Sequence, residues 1–94
     1  MKYSIILEGQ NFEVIIDGKV ENLGFYTTRT VKANSIEEAE DKAIHLIKND
    51  QSLINIMVKD SSLEPTIEVE TVYKSSWWKR TGGKGYSFYP MDSE

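Results

Sequence analysis

Aromatic and cationic side chains are concentrated near the C-terminal end of this 94-residue chain. Residues 73–89 contain four cations and no acid, whereas the whole chain carries a net charge of −4. Aromatic rings interleaved with cations can stack on nucleobases while the cations contact phosphates. Tryptophan, tyrosine and arginine also dominate the hot spots of protein interfaces. The candidate binding residues of this stretch are Trp77, Trp78, Lys79, Arg80, Lys84 and Tyr86.

The charge of the remaining chain separates these possibilities. Residues 1–72 carry seven basic and thirteen acidic side chains, and such a field opposes long-range attraction of DNA or RNA. We therefore expect a non-catalytic protein-interaction module that self-associates or binds another protein through its aromatic C-terminal segment. The alternative is a single-stranded nucleic-acid-binding protein that uses residues 73–89. A third interpretation is structural, with the indoles covering apolar surface and the cations facing water.

Arg29 is a second candidate binding residue. It occupies an odd position in a strand-like stretch whose other odd positions are mostly apolar, as at Phe25, Val31 and Ala33. An inward guanidinium could hold a carboxylate or a phosphate through two hydrogen bonds. The alternative is an arginine at the margin of a sheet that reaches water.

The sequence offers little for catalysis or for metal binding. It has no cysteine and a single histidine, His45, which follows Asp41 by four residues without any nucleophile-elbow motif. Residues 81–85 resemble a phosphate-binding loop but lack the Ser or Thr that must follow the lysine. We expect no enzymatic activity, no metal and no cofactor.

Length and hydropathy predict one domain, residues 1–94, with a compositionally distinct C-terminal segment at 75–94. The apolar run at residues 3–7 is too short for the core of a signal peptide. No run of about 18 apolar residues that could cross a membrane occurs. These features predict a cytoplasmic protein without a membrane partner.

Alternating apolar residues predict strands in the first third of the chain. The apolar positions are odd up to Leu7 and even from Phe12, which a hairpin turn at Gly9 and Gln10 would explain. A tight turn at Asp17 and Gly18 would set Val14 opposite Glu21, so a longer loop is expected there. A third strand is predicted over residues 25–33.

A helix is predicted over residues 35–49, where Ser35 and Glu38 form a capping box. Its apolar stripe is centred on Ile36, Ala39, Ala43 and Ile47. Residues 50–64 are expected to form a short second helix or an irregular strand. Alternation then predicts strands at 66–74 and about 86–89. The fold class is α+β: an antiparallel sheet of about four to five strands, near βββαβ order, with the helix on one face.

The second face of this sheet is predicted to carry surplus apolar residues. Ile6, Ile15 and Val72 are assigned to the face away from the helix. An antiparallel sheet covered on one side by a helix exposes its other side to water unless something covers it. The C-terminal segment or a partner is expected to do so.

The stretch from Ala33 to Ala39, with Ala43 further on, resembles the strand-to-helix junction of HicB-type antitoxin domains. That resemblance implies three strands, a helix and a further strand. The chain differs from those domains at residues 24–29, where they have a segment rich in proline and glycine. The whole chain, with the residues at 7–9 and 24–29, resembles a family of small bacterial proteins of unknown function. Neither resemblance implies an activity.

Overall fold

The computed structural model describes residues 1–76 and 85–91. Within them the chain is α+β: an antiparallel four-stranded sheet in the order β3-β1-β2-β4, with the main helix packed on one face. The elements in chain order are β1 Lys2–Ile16, β2 Lys19–Lys32, α1 Ile36–Lys48, α2 Gln51–Ile54, β3 Thr66–Lys74 and β4 Ser87–Pro90. The predicted fold class is confirmed.

The predicted hairpin turn at Gly9 and Gln10 is wrong, because β1 continues through these residues as one long strand. Gly9 pairs with Phe25 and Phe12 pairs with Leu23, so two residues of β1 oppose one of β2. This is a β-bulge, and Asn11 adopts a φ of 62° within it. A bulge and a tight turn both move the apolar positions from odd to even, so the alternation alone did not distinguish them.

The true turn of this hairpin lies at Asp17 and Gly18, where a longer loop was expected. Both residues have positive φ, 52° and 77°, and Ile16 pairs with Lys19 across a two-residue turn of type I′. The pairing of Val14 with Glu21 is tolerated because Val14 is covered from its other side by a bridge to Met57, while Glu21 stays exposed.

Helix α1 begins and ends as predicted. The Ser35 hydroxyl accepts a hydrogen bond from the Glu38 amide at 3.1 Å, and the Glu38 carboxylate accepts one from the Asn34 amide at 2.6 Å. Its buried stripe consists of Ala39, Ala43 and Ile47. Ile36, placed at the centre of the stripe by the helical periodicity, is half exposed, because the small alanines make the close contact with the sheet. Residues 50–58 supply the short helix α2 and a bridge from Met57 to Val14.

The two sheet faces differ from the prediction at one position. Val72 pairs with Ile5 and packs against the core beneath the helix, because a bulge at Glu70 changes the alternation within β3. Ile6 and Ile15 do lie on the face away from the helix, where Ile15 is 48% exposed. This outer face also carries Glu8 and Glu68, which are paired across β1 and β3. Val20, which pairs with Ile15, and Tyr26, which pairs with Glu8, are also exposed on this face, so it presents apolar surface although Val72 does not contribute to it.

Candidate functional site

Residues 85–91 of the C-terminal segment lie against the sheet. β4 pairs with residues 23–26 of β2, and the Tyr89 ring lies over Gly24, where a Cβ atom would collide with it. The Tyr89 hydroxyl donates a hydrogen bond to Glu8 on the outer face. That bond raises the pKa of Tyr89 to about 12 and holds the pKa of Glu8 below its usual range.

Arg29 and Tyr86, both predicted as binding residues, contact each other. The Arg29 guanidinium carbon lies 5.1 Å from the centroid of the Tyr86 ring, and the side chain of Arg29 is 3% exposed. Arg29 Nη1 donates to Thr27 Oγ1 at 2.5 Å and to the Thr28 carbonyl at 3.0 Å. Its Nη2 lies 3.6 Å from Asp50 Oδ2. The carboxylate that Arg29 holds is therefore the protein's own.

Asp50, whose side chain is 25% exposed, completes this network and was not among the predicted binding residues. Its Oδ2 accepts a hydrogen bond from the Tyr86 hydroxyl at 2.5 Å, while Oδ1 caps α2 by accepting from the Ser52 amide at 3.0 Å. The bond from Tyr86 is the main cause that lowers the pKa of Asp50. Burial and the same bond raise the pKa of Tyr86 to about 12. Asp50 two residues before Ser52 was an available helix-cap signal.

The other predicted binding residues, Trp77, Trp78, Lys79, Arg80 and Lys84, lie outside the described residues. The chain is attached to the sheet on both sides of them. Ser75 N donates to the Lys2 carbonyl at 2.9 Å, and the Gly85 carbonyl accepts from Thr27 Oγ1 at 2.7 Å. Lys2 pairs with Lys32 across β1 and β2. The two attachment points thus flank residues 27–32 of β2 along the length of the sheet.

That part of β2 forms an unpaired edge among the described residues. Peptide groups alternate in direction along an antiparallel strand. Asn22 accepts from Met91 on the β4 side, whereas Ala33 donates to Met1 on the β1 side. Even-numbered residues of β2 therefore direct their peptide groups toward the β4 side, but β4 reaches only Tyr26. Residues 28–32 form what we call the open edge, with outward peptide groups at Thr28, Thr30 and Lys32; Thr28 and Lys32 are exposed, whereas Thr30 is only 8% exposed.

A groove of about 700 Å³ runs between the open edge and α1. Leu46 of the helix lines it and is 42% exposed, and Val31 of β2 lies opposite. Its other lining residues are Thr30, Lys32, Asp41, Lys42 and His45. Lys42 Nζ donates to the Lys32 carbonyl at 2.7 Å and so covers part of one end of the edge. An unpaired strand beside an apolar groove is the geometry that binds extended peptides.

The described residues contain no group of three or more His, Cys, Asp or Glu side chains that could hold a metal ion. Residues 1–76 and 85–91 contain no helix long and apolar enough to cross a membrane. The chain matches no protein-family model, no curated protein and no solved structure.

Proposed function

We propose that this protein is a non-catalytic interaction module that binds an extended protein segment at the open edge of β2. The observation that carries the proposal is the end of β4 at Tyr26, which leaves residues 28–32 without a strand partner in the described part of the chain. Incoming backbone would add to the ladder, and alternate side chains would enter the groove beside α1.

The side chains around the edge fit a binding role. Thr28 and Lys32 are exposed, and Leu46 offers apolar surface that the domain's own core does not use. The carbonyl oxygens of Thr28 and Lys32 already accept hydrogen bonds from Arg29 and Lys42. Each of these oxygens has a second lone pair that can accept another bond. The carbonyl oxygens of Thr28 and Lys32 can therefore each still accept a main-chain hydrogen bond.

The contacts of Arg29 support a structural role for this residue. Its guanidinium is occupied by Thr27, Thr28, Asp50 and the ring of Tyr86, so an external anion would have to displace the protein's own groups. A hollow lined by Tyr26, Thr28 and Tyr86 lies nearby, but Arg29 is not among its lining residues. The network instead fixes the start of β4 and thereby the length of the open edge.

We further propose that the cytoplasmic partner also contacts the C-terminal segment. Residues 77–84 join two attachment points that flank the open edge, and they contain two tryptophans and three cations. Tryptophan and arginine commonly provide much of the binding energy at protein interfaces. Backbone pairing would position the partner, and these side chains would add selectivity.

A peptide selection tests this function directly. Random peptides displayed on phage are panned on the wild-type protein, and enriched peptides are then measured against two substitutions of the exposed residue Thr28. Thr28→Pro removes an outward N–H that β1 does not use, whereas Thr28→Val keeps it. We expect binding to survive Thr28→Val and to fall at least about tenfold in Thr28→Pro, the loss expected for one or two main-chain bonds.

The groove is tested by a second matched pair. Leu46→Glu places a charge in the groove, while Ile36→Glu changes a similarly exposed residue of α1 that does not line it. Circular dichroism checks that each variant is folded, and Lys32→Pro replaces Thr28→Pro if the latter does not fold. Selected peptides that bind all variants equally, or no edge-dependent peptide at all, would show that this function is wrong.

A further inference from the structure

We infer that an apolar pocket on the helix side of the domain binds a small anionic amphiphile, meaning a ligand with an apolar body and one carboxylate. The pocket has a volume of about 310 Å³ and lies between α1, α2 and the start of β3. Its nine lining residues fall between Phe12 and Ile67, and none of them belongs to the open edge or to the C-terminal segment. The inference therefore concerns a second site and does not rest on the proposed function.

The floor of the pocket is part of the hydrophobic core. Phe12, Ile47 and Leu53 line it, and each of them is at most 3% exposed. Helix α2 spans only Gln51–Ile54, so it covers the core with Leu53 and leaves a hollow between itself and α1. Water above such a floor finds few hydrogen-bond partners. Apolar ligand atoms that displace this water gain the free energy of burial.

One wall of the pocket is held in place by backbone hydrogen bonds on both sides of Met57, which lines it. The Ile56 carbonyl accepts from the Ile15 amide at 2.7 Å. The Val58 amide donates to the Glu13 carbonyl at 2.8 Å. The backbone of this wall is therefore attached to β1, while the thioether of Met57 can adapt to the shape of a ligand. A pocket whose frame is already fixed loses little conformational freedom when it is filled.

Lys48 is the single charged residue among the nine that line the pocket, and the other eight are apolar. Lys48 is exposed and makes no hydrogen bond or ion pair with the described residues. The nearest acid in sequence is Asp50, whose carboxylate is held by Arg29 and Tyr86. A carboxylate at the mouth of the pocket would thus gain a cation without displacing another partner, whereas a cationic ligand would be repelled.

The volume of the pocket sets the size of the ligand. An engineered apolar cavity of about 150 Å³ binds benzene, so a pocket of about 310 Å³ holds a ligand of about twelve non-hydrogen atoms. Decanoate has this size and carries both required parts, an apolar chain and a carboxylate. Longer chains would project from the pocket into water. We therefore expect a free carboxylate of medium length and not a membrane lipid.

Titration with sodium decanoate, followed through the amide chemical shifts of isotope-labelled protein, tests the inference. We expect saturable shifts at Leu53, Ile54 and Met57, and none at Thr28 of the open edge. Affinity should rise roughly fourfold for each methylene from hexanoate to decanoate, because each added methylene is buried. It should rise little further in tetradecanoate, whose extra carbons stay in water. 1-Decanol, which has the same chain without the charge, should bind several-fold more weakly.

Two lysines provide a matched pair for the charge. Lys48→Gln removes the cation at the pocket, whereas Lys19→Gln removes an exposed cation of β2 that does not line it. We expect decanoate affinity to fall about threefold to fivefold in Lys48→Gln, the loss expected for one exposed ion pair, and to stay unchanged in Lys19→Gln. Affinity for 1-decanol should be the same in both variants.

Two isoleucines provide a matched pair for the space. Ile54→Trp fills the pocket from α2, whereas Ile36→Trp makes the same change at an exposed residue of α1 outside the pocket. Decanoate affinity should fall at least about tenfold in Ile54→Trp alone, because several methylenes lose their buried position. Circular dichroism checks that each variant is folded. Ile54→Glu, which places a carboxylate at the mouth, replaces Ile54→Trp if the latter does not fold.

Three outcomes would overturn the inference. An absence of saturable shifts at millimolar decanoate would show that the pocket does not take such ligands. Shifts centred on Leu46 would place the ligand in the groove beside the open edge instead. Equal effects of Lys48→Gln and Lys19→Gln would show that affinity reflects overall charge and not a carboxylate at the pocket. None of these results bears on peptide binding at the open edge, so the proposed function is tested separately.

Discussion

Arg29 Nη2 lies 3.6 Å from Oδ2 of Asp50. This ion pair joins the middle of β2 to the N-cap residue of α2. The same carboxylate oxygen accepts a hydrogen bond from the hydroxyl of Tyr86, which lies just before the start of β4. This partly buried cluster thus connects three parts of the chain that are distant in sequence. By setting where β4 starts, it also sets where the edge of β2 becomes free.

Loss of the cation should destabilise the fold strongly. Arg29→Ala leaves the Asp50 carboxylate without its ion pair and opens a void, and we expect unfolding to become easier by about 2–4 kcal/mol. Arg29→Met refills the volume and should cost less. Urea denaturation of Arg29→Ala, Asp50→Ala and the double variant measures the coupling. Effects that add within about 0.5 kcal/mol would contradict a direct interaction between the two side chains.

The loss of stability as the pH falls, which we call the acid limb of the stability profile, should depend on Asp50. Its pKa is lowered in the folded state, chiefly by the hydrogen bond from Tyr86. A group with a lowered folded pKa stabilises the protein above its ordinary value, about 3.9 for aspartate, and that contribution disappears as the pH falls through the folded value. Asp50→Asn should therefore be less stable than wild type at neutral pH but lose less stability below about pH 4.

Tyr86→Phe provides the control for this pH dependence. It removes the hydroxyl donor but keeps the ring beside Phe25 and Arg29, so the acid limb should shrink while the packing remains. The measurement is the urea midpoint at a series of pH values. Identical acid limbs for wild type, Asp50→Asn and Tyr86→Phe would show that other carboxylates govern acid unfolding.

The sequence predicted the elements better than their connections. Alternation located the apolar positions of β1, but it could not show that Gly9 and Gln10 form a bulge, because both geometries shift the pattern by one residue. Val72 was assigned to the wrong face for the same reason, since the bulge at Glu70 becomes visible only when β3 pairs with β1. Helix α1 was predicted well because its N-terminal cap and its apolar stripe depend only on residues close together in the sequence.

The candidate site was harder to predict because it depends on long-range pairing. Arg29 was conspicuous as a cation among apolar positions, yet its partner Asp50 lies 21 residues away in a stretch without clear periodicity. The open edge depends on where β4 begins along β2, and no local pattern encodes that position. Edge and groove therefore emerge only from the assembled sheet.

Gly24 should be needed for docking β4. A Cβ atom there would collide with the ring of Tyr89, which lies directly over the glycine. We expect Gly24→Ala to destabilise the protein by about 1–3 kcal/mol, the usual cost of overpacking a close contact. In a Tyr89→Ala background the same change should cost much less, and this difference is the measurement that matters. Equal costs in both backgrounds would mean that strain in the β2 backbone, not the tyrosine ring, excludes alanine.

Binding to single-stranded nucleic acid should be weak and confined to low salt. The described residues carry thirteen acidic and eight basic side chains, and Glu8 and Glu68 lie together on the outer face of the sheet. The cations of residues 73–89 would have to act against this field, and each phosphate contact they make is weakened by salt. Fluorescence anisotropy of a labelled oligonucleotide should show no association at physiological ionic strength.

The pair Lys79→Ala and Lys59→Ala distinguishes a specific site from general charge. Each substitution removes one cation, but only Lys79 belongs to the C-terminal segment. Any low-salt association should be reduced similarly by both, because it reflects overall charge and not a binding groove. Binding that persists at physiological salt and is lost only in Lys79→Ala would instead favour a nucleic-acid-binding protein, because local contacts of residues 73–89 would then outweigh the acidic surroundings.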